Sequence, residues 1–325
     1  MESKTKNKQS RQQIERMAQR AFAGEGLATG DEAVRELKEG WFNAAYAIRL
    51  AGGREVILKI APPQDADVMQ YEQNIMATEV ASMRLVRQNP AIPVPEIYFF
   101  DDTRDLCDAD YFFMEKINGD NLEHVKAGLP AATQAAVDRR IGAIIREVNT
   151  FPGVYFGYDG NPNLRADTWK AAFLKIVEAV LEDAAAKDAV FDYSYDELRA
   201  VVLKHAPALD EITAPCLVHW DAWNPNFFVK DGAITGIIDF ERALWAEPLM
   251  EAQFRALFEG GVTDAMRGYG KTTFTFAEQQ RNYLYSLHLA LVMNTECYYR
   301  NYDTDDIFNL SRQYIAANMA WLTAN

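Results

Sequence analysis

Apolar and polar positions in the first third of the chain follow the short alternating runs that are typical of strands. A charged helical pattern covers residues 1–25, and residues 32–38 then have the composition of a first strand. Two β-rich runs, residues 46–50 and 55–60, flank Gly52-Gly53 and predict a hairpin with Lys59 opposite Tyr46. Two further strands are predicted at residues 96–100 and 111–116.

Between these strands lies one amphipathic helix, predicted at residues 67–88. Its stripe is formed by Glu72, Met76, Glu79, Met83 and Val86. Glu79 lies between two methionines on an otherwise apolar face, so its carboxylate needs a cation. Lys59, flanked by apolar strand residues, is the expected partner, and Glu72 is the second choice.

After Asp120 the periodicity becomes mainly helical. Only a strand at residues 216–218 and a hairpin around Asp231-Gly232 interrupt it. Helices are predicted at residues 131–149, 168–186, 195–205, 247–258, 276–300 and 305–322. The pattern predicts an α+β fold, with a small antiparallel β-sheet lobe and one main helix in residues 1–116 and a larger helical lobe in residues 117–325.

Composition narrows the function classes. The 325 residues carry a net charge of −14, which argues against nonspecific nucleic-acid binding and favours a cationic ligand, although plain solubility is the simpler explanation. Three separated cysteines give no disulfide framework, and the polar start resembles no signal peptide. The most apolar helical stretch, residues 284–293, is too short to cross a bilayer. We expect a cytoplasmic protein without a membrane partner.

The hairpin around Asp231-Gly232 suggests a metal site. If its turn contains only those two residues, Asn226 lies opposite Ile237. Asp239 is then a diagonal neighbour of Asn226 on the same face, because side chains alternate along a strand. Oxygen ligands at that spacing suit Mg²⁺, and Asp221 lies near enough in sequence to accept a proton from a hydroxyl.

These residues form two motifs, His219-x-Asp221-x4-Asn226 and Ile238-Asp239-Phe240-Glu241. They resemble the aminoglycoside phosphotransferase and choline kinase group of the protein-kinase-like superfamily. The resemblance implies a bilobal kinase-like fold, Asp221 as the catalytic base, and Asn226 and Asp239 as metal ligands. Trp220 stands where the antibiotic kinases usually have glycine.

The same resemblance implies a nucleotide site in the amino-terminal lobe. Gly40 and Asn43 match the spacing of the phosphate loop, while Lys59 and Glu79 match the ion pair that orders the phosphates. Met114, Glu115 and Ile117 would contact the adenine at the hinge between the lobes.

Residues for the phosphate acceptor are sought in the last helices and after the metal aspartate. Glu241 and Glu296 are the candidates, and the tyrosines of residues 283–302, with Asp303 beyond them, would suit a polycation or a quaternary amine. Most of those tyrosines, and His288, are more simply explained as core residues.

The sequence therefore predicts a small-molecule kinase that transfers the γ-phosphate of ATP, or of GTP, with Mg²⁺ to a hydroxyl of a small, possibly cationic acceptor such as an aminoglycoside-like compound. Choline, homoserine and sugars are alternative acceptors. A nucleotide-binding scaffold without turnover and a metal hydrolase that uses His219 and Asp221 are the other hypotheses.

Overall fold

A computed structural model describes residues 5–38, 40, 42–255, 261–302 and 304–325 of the chain. The first part is a five-stranded antiparallel sheet with the order β1-β2-β3-β5-β4. Its strands are β1 (Val34–Leu37), β2 (Ala44–Arg49), β3 (Glu55–Ile60), β4 (Ile97–Asp101) and β5 (Tyr111–Glu115).

The sheet is buried on both faces because a helix covers each one. Helix α1 (Arg11–Ala21) packs with Val56, Leu58 and Ile60, while α2 (Ile75–Val86) packs on the face of Ile57. The interior strand β3 is therefore apolar at nearly every position, and Lys59 lies within it.

The predicted pairing of Lys59 with Tyr46 is wrong by one residue. Lys59 lies opposite Ala45, and the N–H of Leu50 donates to the Arg54 carbonyl at 2.9 Å. Three residues rather than two therefore form the turn, and Gly53 at its end has a φ of 87°, which glycine adopts without steric cost.

Helix α2 is shorter than predicted. Residues Gln70–Glu72 form a 3₁₀ turn, and Asn74 has a left-handed φ of 51°, so the helix begins only at Ile75. Glu72 is consequently off the helical stripe, and its carboxylate accepts from the Met69 N–H at 2.9 Å. Glu79 remains on the stripe.

The second part of the chain is mainly helical. The helices predicted at residues 195–205 and 276–300 are confirmed at those bounds, but the one predicted at 247–258 has only a short helix at 252–255, and residues 256–260 lie outside the described part. The helices are α3 (Leu122–Val125), α4 (Ala131–Val148), α5 (Trp169–Ala186), α6 (Tyr195–His205), α7 (Ala252–Arg255), α8 (Asp264–Tyr269), α9 (Phe276–Arg300) and α10 (Asp306–Ala324).

Two small sheets lie within this helical part. One contains β6 (Asp120–Asn121), β8 (Phe227–Lys230) and β9 (Ala233–Ile237), and the other pairs β7 (Cys216–Val218) with β10 (Leu244–Ala246). The predicted α+β architecture is confirmed, while the lobe boundary between residues 116 and 117 remains a prediction. Among the described residues, no helix is both long and apolar enough to cross a membrane.

Candidate active site

His219 fixes the loop that follows β7. Its ring is fully buried, packs on Phe240 with 4.3 Å between ring centroids, and lies with Nε2 3.0 Å from the Ile238 carbonyl. Burial lowers the pKa of His219, so the neutral ring donates that hydrogen bond. The loop is thereby joined to the chain that leaves β9.

Glu251 holds the same loop from below. Its Oε1 accepts from the His219 N–H at 2.9 Å, and its Oε2 accepts from the Trp220 N–H at 3.1 Å. Asn149 Nδ2 donates to it as well, at 2.8 Å. The sequence reasoning missed Glu251, although a fully buried glutamate inside the apolar run 249–254 was an available signal. These bonds fix the backbone immediately before Asp221.

The hairpin forms at Asp231-Gly232, and both residues have the positive φ that the predicted turn requires, 51° and 78°. Lys230 pairs with Ala233, as expected. The register then shifts, because Phe228 pairs with Gly236. A β-bulge has inserted one extra residue into β9.

The predicted pairing of Asn226 with Ile237 is therefore wrong. The Asn226 carbonyl accepts instead from the Ile238 N–H at 3.0 Å, and Asp239 leaves the strand with a left-handed φ of 72°. Alternation along a strand thus does not determine where the Asp239 carboxylate lies. Asn226 Nδ2 donates to the Asp221 carbonyl at 2.8 Å, which joins Asn226 to the loop.

Lys59 lies at the centre of a buried charge cluster. Its ammonium is 2.7 Å from Glu79 Oε2, 2.8 Å from Asp239 Oδ1 and 3.9 Å from Glu241 Oε2. The predicted Lys59–Glu79 pair is confirmed. Burial alone would lower the pKa of Lys59, but the charges of Asp239, Glu79 and Glu241 outweigh burial and raise it.

The three carboxylates around Lys59 suit a divalent cation. One oxygen from each of Glu79, Asp239 and Glu241 lies within 4.8 Å of the others, and hard oxygen ligands are those that Mg²⁺ prefers. Burial, and next the negative charge of Asp239, raise the pKa of Glu241 to about 8, so Glu241 holds a proton at neutral pH. An added cation would favour the ionised form of these groups.

The candidate phosphate loop reaches this cluster through Asn43. This residue is buried, and its Nδ2 donates to Glu241 Oε2 at 2.6 Å. Gly40 is exposed, and a Cβ there would meet only the Asn43 carbonyl, at the ordinary contact distance of 3.5 Å. The backbone at Gly40 is therefore open to a ligand, with residues 39 and 41 outside the described part.

The predicted hinge lies at the end of β5. Met114 is buried in the sheet, Glu115 ends the strand and is exposed, and Ile117 packs against Gly236 of the second hairpin. This segment therefore joins the two parts of the chain, which is where the sequence places the adenine contacts.

Trp220 separates two arginines beside Asp221. It is 2% exposed and has a left-handed φ of 68°. The Arg255 guanidinium lies 4.7 Å from the centre of the ring, and that of Arg242 lies 5.2 Å from it. The position where the antibiotic kinases have glycine is thus filled by a packed aromatic side chain, and sequence reasoning found neither arginine.

Glu296 lies in a buried network of charges. Its Oε1 accepts from Arg242 at 2.7 Å, from Arg300 at 3.1 Å and from the Tyr71 hydroxyl at 2.5 Å. Arg300 also pairs with Glu72. The role of Glu296 at a phosphate acceptor stays a prediction, and Asp303 lies outside the described residues.

His288 is a core residue, as expected. It is fully buried against Phe173 and Trp220, and burial lowers its pKa to about 3. Tyr285 is likewise buried and donates to Glu247 at 2.5 Å. The aromatic residues of α9 therefore serve mainly to pack the helix.

The family of the chain follows from a match that covers most of it. Residues 33–265 match the model of the phosphotransferase enzyme family. The chain belongs to this family. The span includes Lys59, Glu79 and both motifs, so the resemblance inferred from them is confirmed, as is the expected class of enzyme, a phosphotransferase with an alcohol group as acceptor.

Solved structures of phosphotransferases share the fold. A protein from Haemophilus somnus that carries the name of fructosamine-3-kinase superposes with a TM-score of 0.68 at 17% identity, over 94% of this chain and 96% of that one. Aminoglycoside phosphotransferase APH(4)-Ia, as a thermostable mutant, superposes with a TM-score of 0.65 at 16% identity, over 96% of this chain and 100% of that one. The predicted kinase-like fold is confirmed.

Sequence relatives cover much less. A subtelomeric hrmA-associated cluster protein of Aspergillus fumigatus is 33% identical over 90 residues, which are 27% of this chain and 17% of the fungal protein. The match thus spans about a sixth of the length of that relative, and it carries no conclusion about the substrate of this phosphotransferase.

Proposed function

We propose that this phosphotransferase moves the γ-phosphoryl group of ATP to a hydroxyl of a small molecule, with Mg²⁺. The observation that carries the proposal is the buried Lys59 ammonium, held by Glu79 at 2.7 Å and Asp239 at 2.8 Å. A lysine that joins a helix carboxylate and a metal-type aspartate is the arrangement that orders phosphates in kinases.

Each residue of the cluster has a proposed role. Lys59 binds phosphate oxygens, Glu79 orients it, and Asp239 and Asn226 hold the metal. Mg²⁺ would neutralise the charge of the phosphates. Gly40 and Asn43 lie where the backbone can approach those phosphates.

Asp221 is the proposed base. It would take the proton of the acceptor hydroxyl while that oxygen forms its bond to the γ-phosphorus. The bond between the γ-phosphorus and the bridging oxygen breaks, and its electron pair leaves with ADP. Because Glu251 and Asn226 both hold the backbone beside Asp221, the carboxylate is presented in one position.

The choice of nucleotide is supported by relatives. APH(4)-Ia has been solved in ternary complexes with ADP and hygromycin B, and with AMP-PNP and hygromycin B. We propose ATP by this likeness, with GTP as the alternative, and place the base against Met114, Glu115 and Ile117. The three free cysteines support a reducing compartment such as the cytoplasm.

The hydrolase alternative is disfavoured by His219. Its Nε2 is engaged with the Ile238 carbonyl, and the cluster of possible metal ligands among the described residues contains carboxylates only. A zinc site would need that nitrogen free.

The proposal is tested by incubating the full chain with ATP, Mg²⁺ and a mixture of small alcohols, and by searching for phosphorylated products with mass spectrometry. The mixture contains aminoglycosides, choline, homoserine, sugars and hydroxy acids. We expect one class to gain a phosphate and ADP to form in equal amount. Nucleotide binding without any phosphorylated product would favour the scaffold alternative.

A further inference from the structure

Arg255 brings a guanidinium next to the proposed base. It is the last residue of α7, and its Nη2 donates to the Trp220 carbonyl, the peptide group directly before Asp221. Consecutive Cα atoms are about 3.8 Å apart, so this cation lies within a residue of Asp221. A molecule whose hydroxyl reaches Asp221 would also meet Arg255.

Within the described ranges, the other arginines of this region have carboxylate partners and Arg255 has none. Arg242 is 2.7 Å from Glu296, Arg281 is 2.9 Å from Glu247, and Arg300 pairs with Glu72. For Arg255, no described carboxylate oxygen lies within 4.0 Å. Its single hydrogen bond to a described residue is the one to the Trp220 carbonyl.

An unpaired charge of this kind is costly. Burial lowers the pKa of Arg255 to about 10, and the more distant charges of Asp221 and Glu251 only partly offset it. The guanidinium is partly exposed, so its free N–H groups face open space rather than the core. Their geometry suits a planar anion that accepts two parallel hydrogen bonds.

The charge that remains open is a single one. On the other face of the Trp220 ring, Arg242 is neutralised by Glu296, while Arg255 is not. One uncompensated positive charge fits one carboxylate better than a doubly charged phosphate ester. The net charge of −14 describes the whole surface and does not cancel this local excess.

We propose that Arg255 binds a carboxylate of the phosphate acceptor, and that the acceptor is a small hydroxy acid rather than a polycation. This inference rests on the proposed function for its reaction, but not for its binding step. Because the guanidinium and Asp221 are neighbours, the carboxylate lies only a few bonds from the hydroxyl that reacts. Arg255 is thus a specificity-determining residue of the acceptor site.

Matched alcohols test the assignment. The full chain, with AMP-PNP and Mg²⁺, is titrated calorimetrically with glycerate and glycerol, with gluconate and glucose, with glycerol 3-phosphate and with choline. We expect at least one acid to bind more tightly than its neutral partner. Arg255→Gln should weaken that acid roughly tenfold to hundredfold, as expected for loss of a charge-assisted hydrogen bond, and leave the neutral partner unchanged.

Two further variants separate charge from structure. Arg255→Lys keeps the charge and should retain part of the preference for the acid, which also guards against misfolding of the glutamine variant. Arg267→Gln removes an exposed arginine of α8 and should change nothing. Tightest binding of choline or glycerol 3-phosphate, equal binding within both pairs, or equal weakening of acid and neutral alcohol by Arg255→Gln would overturn the proposal.

The binding assay also distinguishes the two proposals. If an acid binds in a manner that depends on Arg255, but ATP yields no phosphorylated product with it, the carboxylate site stands and the proposed phosphoryl transfer fails. If products form only from neutral or cationic alcohols, phosphoryl transfer stands and the carboxylate site is wrong.

Discussion

Lys59 Nζ lies 2.8 Å from Asp239 Oδ1, although the two residues are 180 positions apart in the chain. A strand of the amino-terminal sheet is thereby linked to the residue that follows the second hairpin. The proposed phosphate-binding cation and the proposed metal ligand are close enough to act on the same phosphate group.

Replacing Asp239 with alanine should remove the dependence of nucleotide binding on Mg²⁺. The dissociation constant of AMP-PNP, measured across a series of Mg²⁺ concentrations, should fall with Mg²⁺ in the wild type and stay high in the variant. Asp231→Asn, in the exposed hairpin turn, is the control. An unchanged response to Mg²⁺ would count against Asp239 as a ligand.

Asp221→Asn should abolish transfer while leaving the nucleotide site intact. The amide cannot take the hydroxyl proton, and loss of a general base typically costs roughly a hundredfold to ten-thousandfold in rate. Single-turnover rates and AMP-PNP affinity are compared with those of Asp196→Asn, whose carboxylate is 98% exposed. Transfer at the wild-type rate would show that Asp221 is not the base.

Trp220→Gly, which restores the residue usual in antibiotic kinases, should destabilise this protein. Glycine relieves the left-handed backbone by about 1–2 kcal/mol, but losing a buried tryptophan costs about 3–5 kcal/mol, so packing decides the sign. Urea unfolding should give a lower free energy of unfolding. Trp223→Ala, at a position that is 49% exposed, should have a much smaller effect. A more stable glycine variant would contradict the packing around Trp220.

Asp183 should make stability depend on pH. Burial raises its pKa to about 6 from 3.8, and it accepts from the Gln70 N–H at 2.8 Å. The folded state therefore keeps a proton that the unfolded state loses. This stability is fully present below about pH 4 and is lost as the pH rises through 6.

Asp183→Asn removes that titration. Relative to wild type, the variant should gain roughly 2 kcal/mol in the free energy of unfolding between pH 4 and pH 7. Denaturation curves at both pH values measure the gain, with Asp196→Asn as the exposed control. Equal differences at the two pH values would mean that Asp183 titrates normally.

Local patterns predicted much of the structure correctly. Glu79 between two methionines of one helical stripe required a cation, and Lys59 is that cation. The helix α6 could be placed because Ser194 and Glu197 form a capping box at its start, which the chain encodes within four residues.

The errors have a different origin. A bulge in β9 and a third residue in the turn after Leu50 each shift a register by one, and neither leaves a clear mark in residue type. Glu251 and Arg255 meet the catalytic loop through packing of segments about 30 residues apart. Periodicity within one element contains no information on such contacts.

Helix α1 lies ahead of residue 33, where the family match begins, yet it closes one face of the sheet. Its residues Ile14 and Met17 are buried with Ile48 and Leu58. A fragment trimmed to the matched span would expose that apolar face, and such surfaces promote aggregation. The unit that can be expressed and handled is therefore larger than the unit that sequence likeness delimits.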